Sequence, residues 1–243
     1  MRTLVGLGRH LGAASLAGIV AGVLVSGVLG RLAMRVAGFT SRPELIGVQT
    51  SNGNRVGEIT ASGTLALALF VGIAADIGGG ILYASAEPWL RSRPGKGALF
   101  GVALFAALGF TVLDPNNVDF RRFGYAPLNI VMFAGLFVAF GATVAWLFDR
   151  IRGVIAGTGP IAAAGAGVAG LVGLGAAALA AFSFFSVGGS GELAVAALFA
   201  AAVLIPPIVR WRGLPRPIGY AAFGLPLLAG AVRTVGGLAE LLG

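Results

Sequence analysis

Four ionisable side chains, Arg31, Arg35, Asp76 and Arg233, stand inside runs that are otherwise apolar. In the middle of a bilayer each would cost about 2.5 to 3.5 kcal/mol on the insertion scale, so such groups persist where a partner or water meets them. Counting inward from the outer helix ends at about 1.5 Å per residue puts Asp76 about 21 Å deep, Arg233 about 13 Å and Arg31 about 10 Å. The long reach of arginine bridges the first gap best, so Asp76 and Arg233 are expected to form an intramembrane charge pair. Arg31 and Arg35 lie one helical turn apart on one face. Two guanidinia so placed suit an anion, a lipid phosphate or an acidic loop residue. The alternative is that they snorkel to the outer interface.

The acids that could answer them sit in two polar segments. Residues 40–61 contain Gln49, Thr50, Ser51, Asn52, Gly53, Asn54 and Arg55, with Asn-Gly between Ile46, Val48 and Val56, Ile59. That pattern predicts a small β-hairpin on the outer surface. Residues 114–125 mix Asp114, Asn117, Asp119, Arg121 and Arg122 with Phe120, Phe123 and Tyr125, more chemistry than a connector needs. Both loops are expected to pack over the outer end of helix one and form an outer-face site of Arg31, Arg35, Glu58, Asp114, Asn117, Asp119, Arg121 and Arg122. At least one of the three acids should then lie within salt-bridge distance of Arg31 or Arg35. The plainer alternative is an interfacial cap, with the aromatics in the head groups and Asp119 paired locally.

Other chemistry finds little support. The chain has no cysteine, which excludes disulfides, thiolate metal sites and cysteine nucleophiles. A retinal Schiff base needs a lysine inside the bundle, and the one lysine, Lys96, falls in a loop. The one histidine, His10, opens the first apolar run beside Arg9 and is expected at the interface. Residues 188–191 read Gly-Gly-Ser-Gly, which matches the serine motif of rhomboid proteases, but no histidine follows, so a tight turn is the reading. No dinucleotide fingerprint or P-loop stands in a strand-to-helix context. A non-enzymatic protein without metal or cofactor is expected.

The elements that must position these groups follow from composition. Of 243 residues 57% are hydrophobic and 11% charged, too few charges for a water-soluble surface, and the mean hydropathy of +0.94 spreads the excess over the whole chain. The net charge of +8 comes from short gaps between apolar runs, which suits anionic head groups and argues against nucleic acid. At about 20 residues per crossing, seven spans are expected near 11–38, 62–84, 97–113, 126–147, 159–187, 192–209 and 218–242, forming one all-α transmembrane bundle. The third is short, and Pro226 and Arg233 interrupt the last, so six or eight remain open. The apolar run at 11–29 is longer than a signal peptide's and continues into Arg31, which makes it a retained helix.

Arg2, Arg9, Arg91, Arg93, Lys96, Arg150, Arg152, Arg210, Arg212 and Arg216 fall in alternate gaps, which places the N-terminus inside and the C-terminus outside a bacterial inner membrane. Trp89, Trp146 and Trp211 accompany Arg-rich gaps, a pattern that duplicated hairpins or ordinary interfacial preference would produce. Gly18, Gly22, Ser26 and Gly30 form a small-residue stripe on helix one, and Gly159, Gly165, Gly167, Gly170, Gly173 and Gly175 enrich helix five, both suited to close helix packing. Gly78, Gly79 and Gly80 either interrupt helix two beside Asp76 or pack it closely.

The Arg31-Leu32-Ala33-Met34-Arg35 segment, the Gly57-x-x-Thr60-x-x-Gly63-Thr64-Leu65 pattern and Asn117-Val118-Asp119-Phe120 resemble a family of polytopic membrane proteins of actinobacterial type, over roughly the first 150 residues. The family carries no assigned activity, so the resemblance implies a membrane protein and draws attention to the outer loops. The leading expectation is a membrane-embedded subunit or accessory protein that offers its outer loops to a protein partner or a second copy. A small transporter or channel using Asp76 and Arg233 is the alternative. A third reading, a lipid-acting enzyme, needs Glu58, Asp114 and Asp119 to converge.

Overall fold

A computed structural model describes residues 2–49, 76–113, 124–155 and 216–242. Among these the chain is helical: α1 (Arg2–Gly22), a π-helical segment (Val23–Leu29), α2 (Gly30–Phe39), α3 (Asp76–Leu90), α4 (Lys96–Leu108), α5 (Ala126–Ile155) and α6 (Arg216–Leu242). Two stretches are long and apolar enough to cross a membrane, Arg9–Phe39 and Ala126–Ile155, and Lys96–Thr111 is a shorter apolar helix.

Several boundaries differ from expectation. The first helix begins at Arg2 and continues through the π-helical segment to Phe39, because Leu4, Leu7 and the two arginines carry helix propensity into the basic N-terminal turns. It ends where the hydroxyls of Thr40 and Ser41 donate to the Ala37 carbonyl, at 3.1 and 2.8 Å, taking up an orphan acceptor just before Pro43. The three glycines at 78–80 do not interrupt α3, which runs unbroken from Asp76 to Leu90. The fourth helix extends to Ile155, past the end of its apolar run, since Asp149, Arg150 and Arg152 continue it as a polar tail. Pro226 and Arg233 do not break the last helix either. The short third run closes with a 3-10 turn at Gly109–Thr111. Of the hairpin expected within 40–61, the turn at Asn52 and Gly53 and everything after it lie outside the described residues, while Pro43–Leu45 form a 3-10 turn; the runs at 159–187 and 192–209 also lie outside the described residues.

Close backbone approach decides how these helices pack. A methyl group on Gly18 would overlap the Asp76 carbonyl, and one on Gly80 the Ala14 carbonyl, so α1 and α3 cross main chain to main chain. On the buried side of α1 Ala13, Ala14, Ala17 and Ala21 are fully covered. The same device joins α4 to α5, where Gly97 and Gly101 meet Gly141 and its neighbours, and α6 to α4, where Gly230 meets Ala107. Small residues gain contact in lipid because no side chain holds the backbones apart. Larger groups fill one end, where Tyr83, Phe100 and Phe148 are buried and Tyr83 meets both phenyl rings edge-on, at 5.2 and 5.6 Å.

Candidate functional site

The richest polar arrangement among the described residues lies at the end of the bundle that holds the α3–α4 turn. Glu87, on the last turns of α3, has a fully buried side chain. Arg91, one turn further on, reaches back with Nε and Nη2 to its two carboxylate oxygens at 2.8 and 3.0 Å. From α5, Arg152 donates to the same carboxylate at 3.3 Å and lies over the Phe148 ring. Beside this, Lys96 at the start of α4 donates to Asp149 of α5 at 2.5 Å. His10 of α1 meets Phe148 edge-on at 5.1 Å, and its Nε2 lies 3.3 Å from the Ala84 carbonyl. All four helices are therefore tied at one end by charge and ring contacts.

The electrostatics follow from this crowding. Burial pushes the Glu87 pKa up, but the Arg91 hydrogen bonds and the charges of Arg91 and Arg152 outweigh it and leave the carboxyl below its ordinary range. Burial pulls Lys96 down, and the hydrogen bond to Asp149 outweighs that, so the ammonium is held more firmly than usual. Arg91 stands largely in the open, and Arg150 lies over the exposed Trp146 ring at 5.6 Å. The arrangement is a clasp with a basic rim.

Sequence reasoning had not singled out Glu87, Tyr83 or Asp149, and had placed His10 at a free interface. One signal was available: Glu87 precedes Arg91 by four residues, the favourable order for a helical ion pair. Segmentation by hydropathy hid it, because it assigned everything after residue 84 to a loop.

The expected partnership of Asp76 and Arg233 is not formed. The ion pairs among the described residues join Glu87 to Arg91 and Arg152, and Lys96 to Asp149. Asp76 packs with α3 on α1, where Ser26 is its polar neighbour and Oδ2 is buried without a hydrogen-bond partner. Arg233 is carried by α6, which packs on α4. Its guanidinium lies over the Phe110 ring at 5.6 Å, while the adjoining Thr234 hydroxyl donates to the Ala106 carbonyl at 2.9 Å and accepts from the Phe110 N–H at 3.0 Å. Matched depth did not bring the two together because α3 packs chiefly on α1 and α6 chiefly on α4.

At the opposite end of the bundle, Arg35 lies over the Phe39 ring at 5.4 Å, and Arg31 has a buried Nε without a hydrogen-bond partner. Glu58, Asp114, Asn117, Asp119, Arg121 and Arg122, expected to join them, lie outside the described residues. The ends of the two polar segments do meet: the Gly124 N–H donates to the Ser41 hydroxyl at 2.8 Å. With φ of +75° and Ala37 and Asn129 close by, Gly124 holds a position that a side chain would strain. No protein-family model, curated protein or solved structure matches the chain.

Proposed function

We propose that this chain is a multi-pass protein of a bacterial cytoplasmic membrane, a bundle of about seven helices with its N-terminus inside, its C-terminus outside and a small outer hairpin. One observation carries the membrane reading. In the most apolar window of Ala126–Ile155, of mean hydropathy 2.2, only 22% of the residues are buried inside the protein. A core helix of a soluble protein turns such residues inward. Here Val131 is 68% exposed, and on α6 Val232 is 73% exposed, a surface that suits lipid chains. The glycine crossings support the same reading, because they are how helices associate where burial from water supplies no drive.

Within the membrane we assign it the role of a non-enzymatic subunit or accessory protein, whose outer loops meet a protein partner or a second copy, and whose basic rim meets anionic head groups. The meeting of Ser41 with Gly124 supports the two outer loops emerging side by side. The likeness of residues 1–150 to polytopic proteins of actinobacterial type belongs to this proposal too. A transporter or channel stands second, favoured by the buried, unpartnered oxygen of Asp76.

Topology is testable directly, because the chain lacks cysteine and needs no background removed. Single cysteines at Arg91, Arg150 and Arg212 should react with a membrane-impermeant maleimide only in inverted vesicles, and those at Asn52 and Asn117 only in intact spheroplasts. Labelling of 52 and 117 from the cytoplasmic face overturns the orientation. Release of the protein by alkaline carbonate overturns the membrane reading altogether. Mild purification that yields a stoichiometric companion or a dimer supports the subunit role, and a monodisperse monomer counts against it.

A further inference from the structure

The geometry points to a monovalent cation site between the π-helical segment and α3, built from the Asp76 carboxylate and the hydroxyl and main-chain carbonyl of Ser26, and able to take a proton or a sodium ion. The inference rests on the membrane reading and goes beyond it, since a subunit and a transporter would each accommodate such a site.

The first observation is Asp76 itself. One carboxylate oxygen is buried and accepts no hydrogen bond, and the Ser26 hydroxyl is a polar neighbour of the group. Among the described residues no charged side chain forms an ion pair with it. His10, Lys96, Asp149 and Arg152 gather around Glu87 at the far end, about 16 Å away along α3 at the helical rise. Arg31 and Arg35 lie five and nine residues beyond Ser26, and neither forms an ion pair among the described residues. A carboxylate with one oxygen buried and unpartnered, and with no ion pair among the described residues, is an expensive arrangement in hydrocarbon, and a bound cation removes the expense.

The second observation is independent and comes from the backbone. Ser26 is the central residue of the π-helical segment Val23–Leu29. At its end the Gly30 N–H donates to the Val25 carbonyl, five residues back. In the α-helix that follows, each carbonyl accepts from the residue four ahead, and the N–H four ahead of Ser26 is that of Gly30. It is already taken. The return from five-residue to four-residue spacing therefore passes over the Ser26 carbonyl, so the residue whose hydroxyl neighbours Asp76 also carries a carbonyl oxygen that the change of spacing leaves over. Single π-helical turns inside long helices gather at functional sites, and released carbonyls with a carboxylate are the oxygen donors that coordinate sodium or protons within membranes.

The test is carbodiimide labelling of the full-length protein in lipid nanodiscs, with peptide mapping at Asp76. Dicyclohexylcarbodiimide modifies carboxyls that are protonated in apolar surroundings. The expected result is modification of Asp76 that falls as the buffer is taken from about pH 5 to about pH 9. If sodium chloride suppresses it at fixed pH where choline chloride of equal strength does not, sodium occupies the site; if pH alone governs it, the proton does. Ser26→Ala should shift that pH or sodium dependence, which a packing role for the serine leaves unmoved. Asp76→Asn should abolish any dependence of the melting temperature on the same ion. Labelling that is absent, or indifferent to pH, sodium and Ser26→Ala, overturns the site even if Asp76→Asn does not fold. A protein that stays in carbonate-washed membranes but fails this test loses the cation site and keeps its membrane assignment.

Discussion

Glu87 shows how one side chain joins elements that hydropathy treats separately. It accepts from Arg91 on its own helix and from Arg152 on α5, and its folded carboxyl is held below the ordinary value near 4.5. A lowered carboxyl contributes stability that is complete above the unfolded value and is lost as pH falls through the folded one. The protein in detergent should therefore melt at lower temperature as the buffer is taken below about pH 4.5, and Glu87→Gln should flatten that acid limb. At neutral pH the same variant should cost about 1.5 kcal/mol, the low end for a hydrogen bond to a charged group, because both arginines are partly exposed and can turn to water. An unchanged acid limb in Glu87→Gln assigns the pH response to other carboxylates. The residues that composition made conspicuous behave differently. Arg35, Arg150 and Arg152 each rest over an aromatic ring four residues away on the same helix, a spacing the sequence does expose, whereas Arg233 rests over Phe110 of the 3-10 turn, which no spacing rule reveals.

At the level of helices, the small residues are the main determinants. Gly141 faces the main chain of Gly97 and Gly101 across α4 and α5, with no flexible side chain between to give way. Gly141→Ala must push the two helices apart and should cost about 1–3 kcal/mol, the range for overpacking, read as a lower melting temperature. Gly135 lies on the same helix with nothing within 4 Å of an added methyl. Gly135→Ala should be neutral, or stabilising by up to about 1 kcal/mol through helix propensity. Equal effects at both positions would show that the crossing is not tight. The stripe through Gly18 was legible in the sequence, since four-residue spacing of small residues is itself the packing signal. Which helix each stripe meets was not legible, because every helix of such a bundle presents similar spacing. The Asp76 and Arg233 pairing failed for that reason, and the π-helical segment left no trace in composition.

Taken whole, the described residues form a bundle with unlike ends. One is tied by ion pairs and rings and edged with arginine, and the other is capped by the hydroxyls of Thr40 and Ser41. Hydropathy alone pointed to the all-α class, and charge placement gathered Arg91, Lys96 and Arg152 at one end, as the structure has them. The outer-face site was legible only as a list of residue types, since loops carry no periodicity from which to place them. A further consequence concerns α4. Its 13 residues rise about 20 Å, and the three residues of the 3-10 turn add about 6 Å, short of the roughly 30 Å hydrocarbon core of a typical bilayer. Leu99 and Val102 on this helix face outward, so the deficit falls on lipid rather than on protein. In the membrane proposed for this protein, the surrounding leaflets would thin to meet it, at a fraction of a kcal/mol per ångström of mismatch. The protein should accordingly be most heat-stable in vesicles of short-chain phosphatidylcholine and progressively less so as the acyl chains lengthen, which makes bilayer thickness, and the sorting among membranes that follows from it, a property written into one short helix.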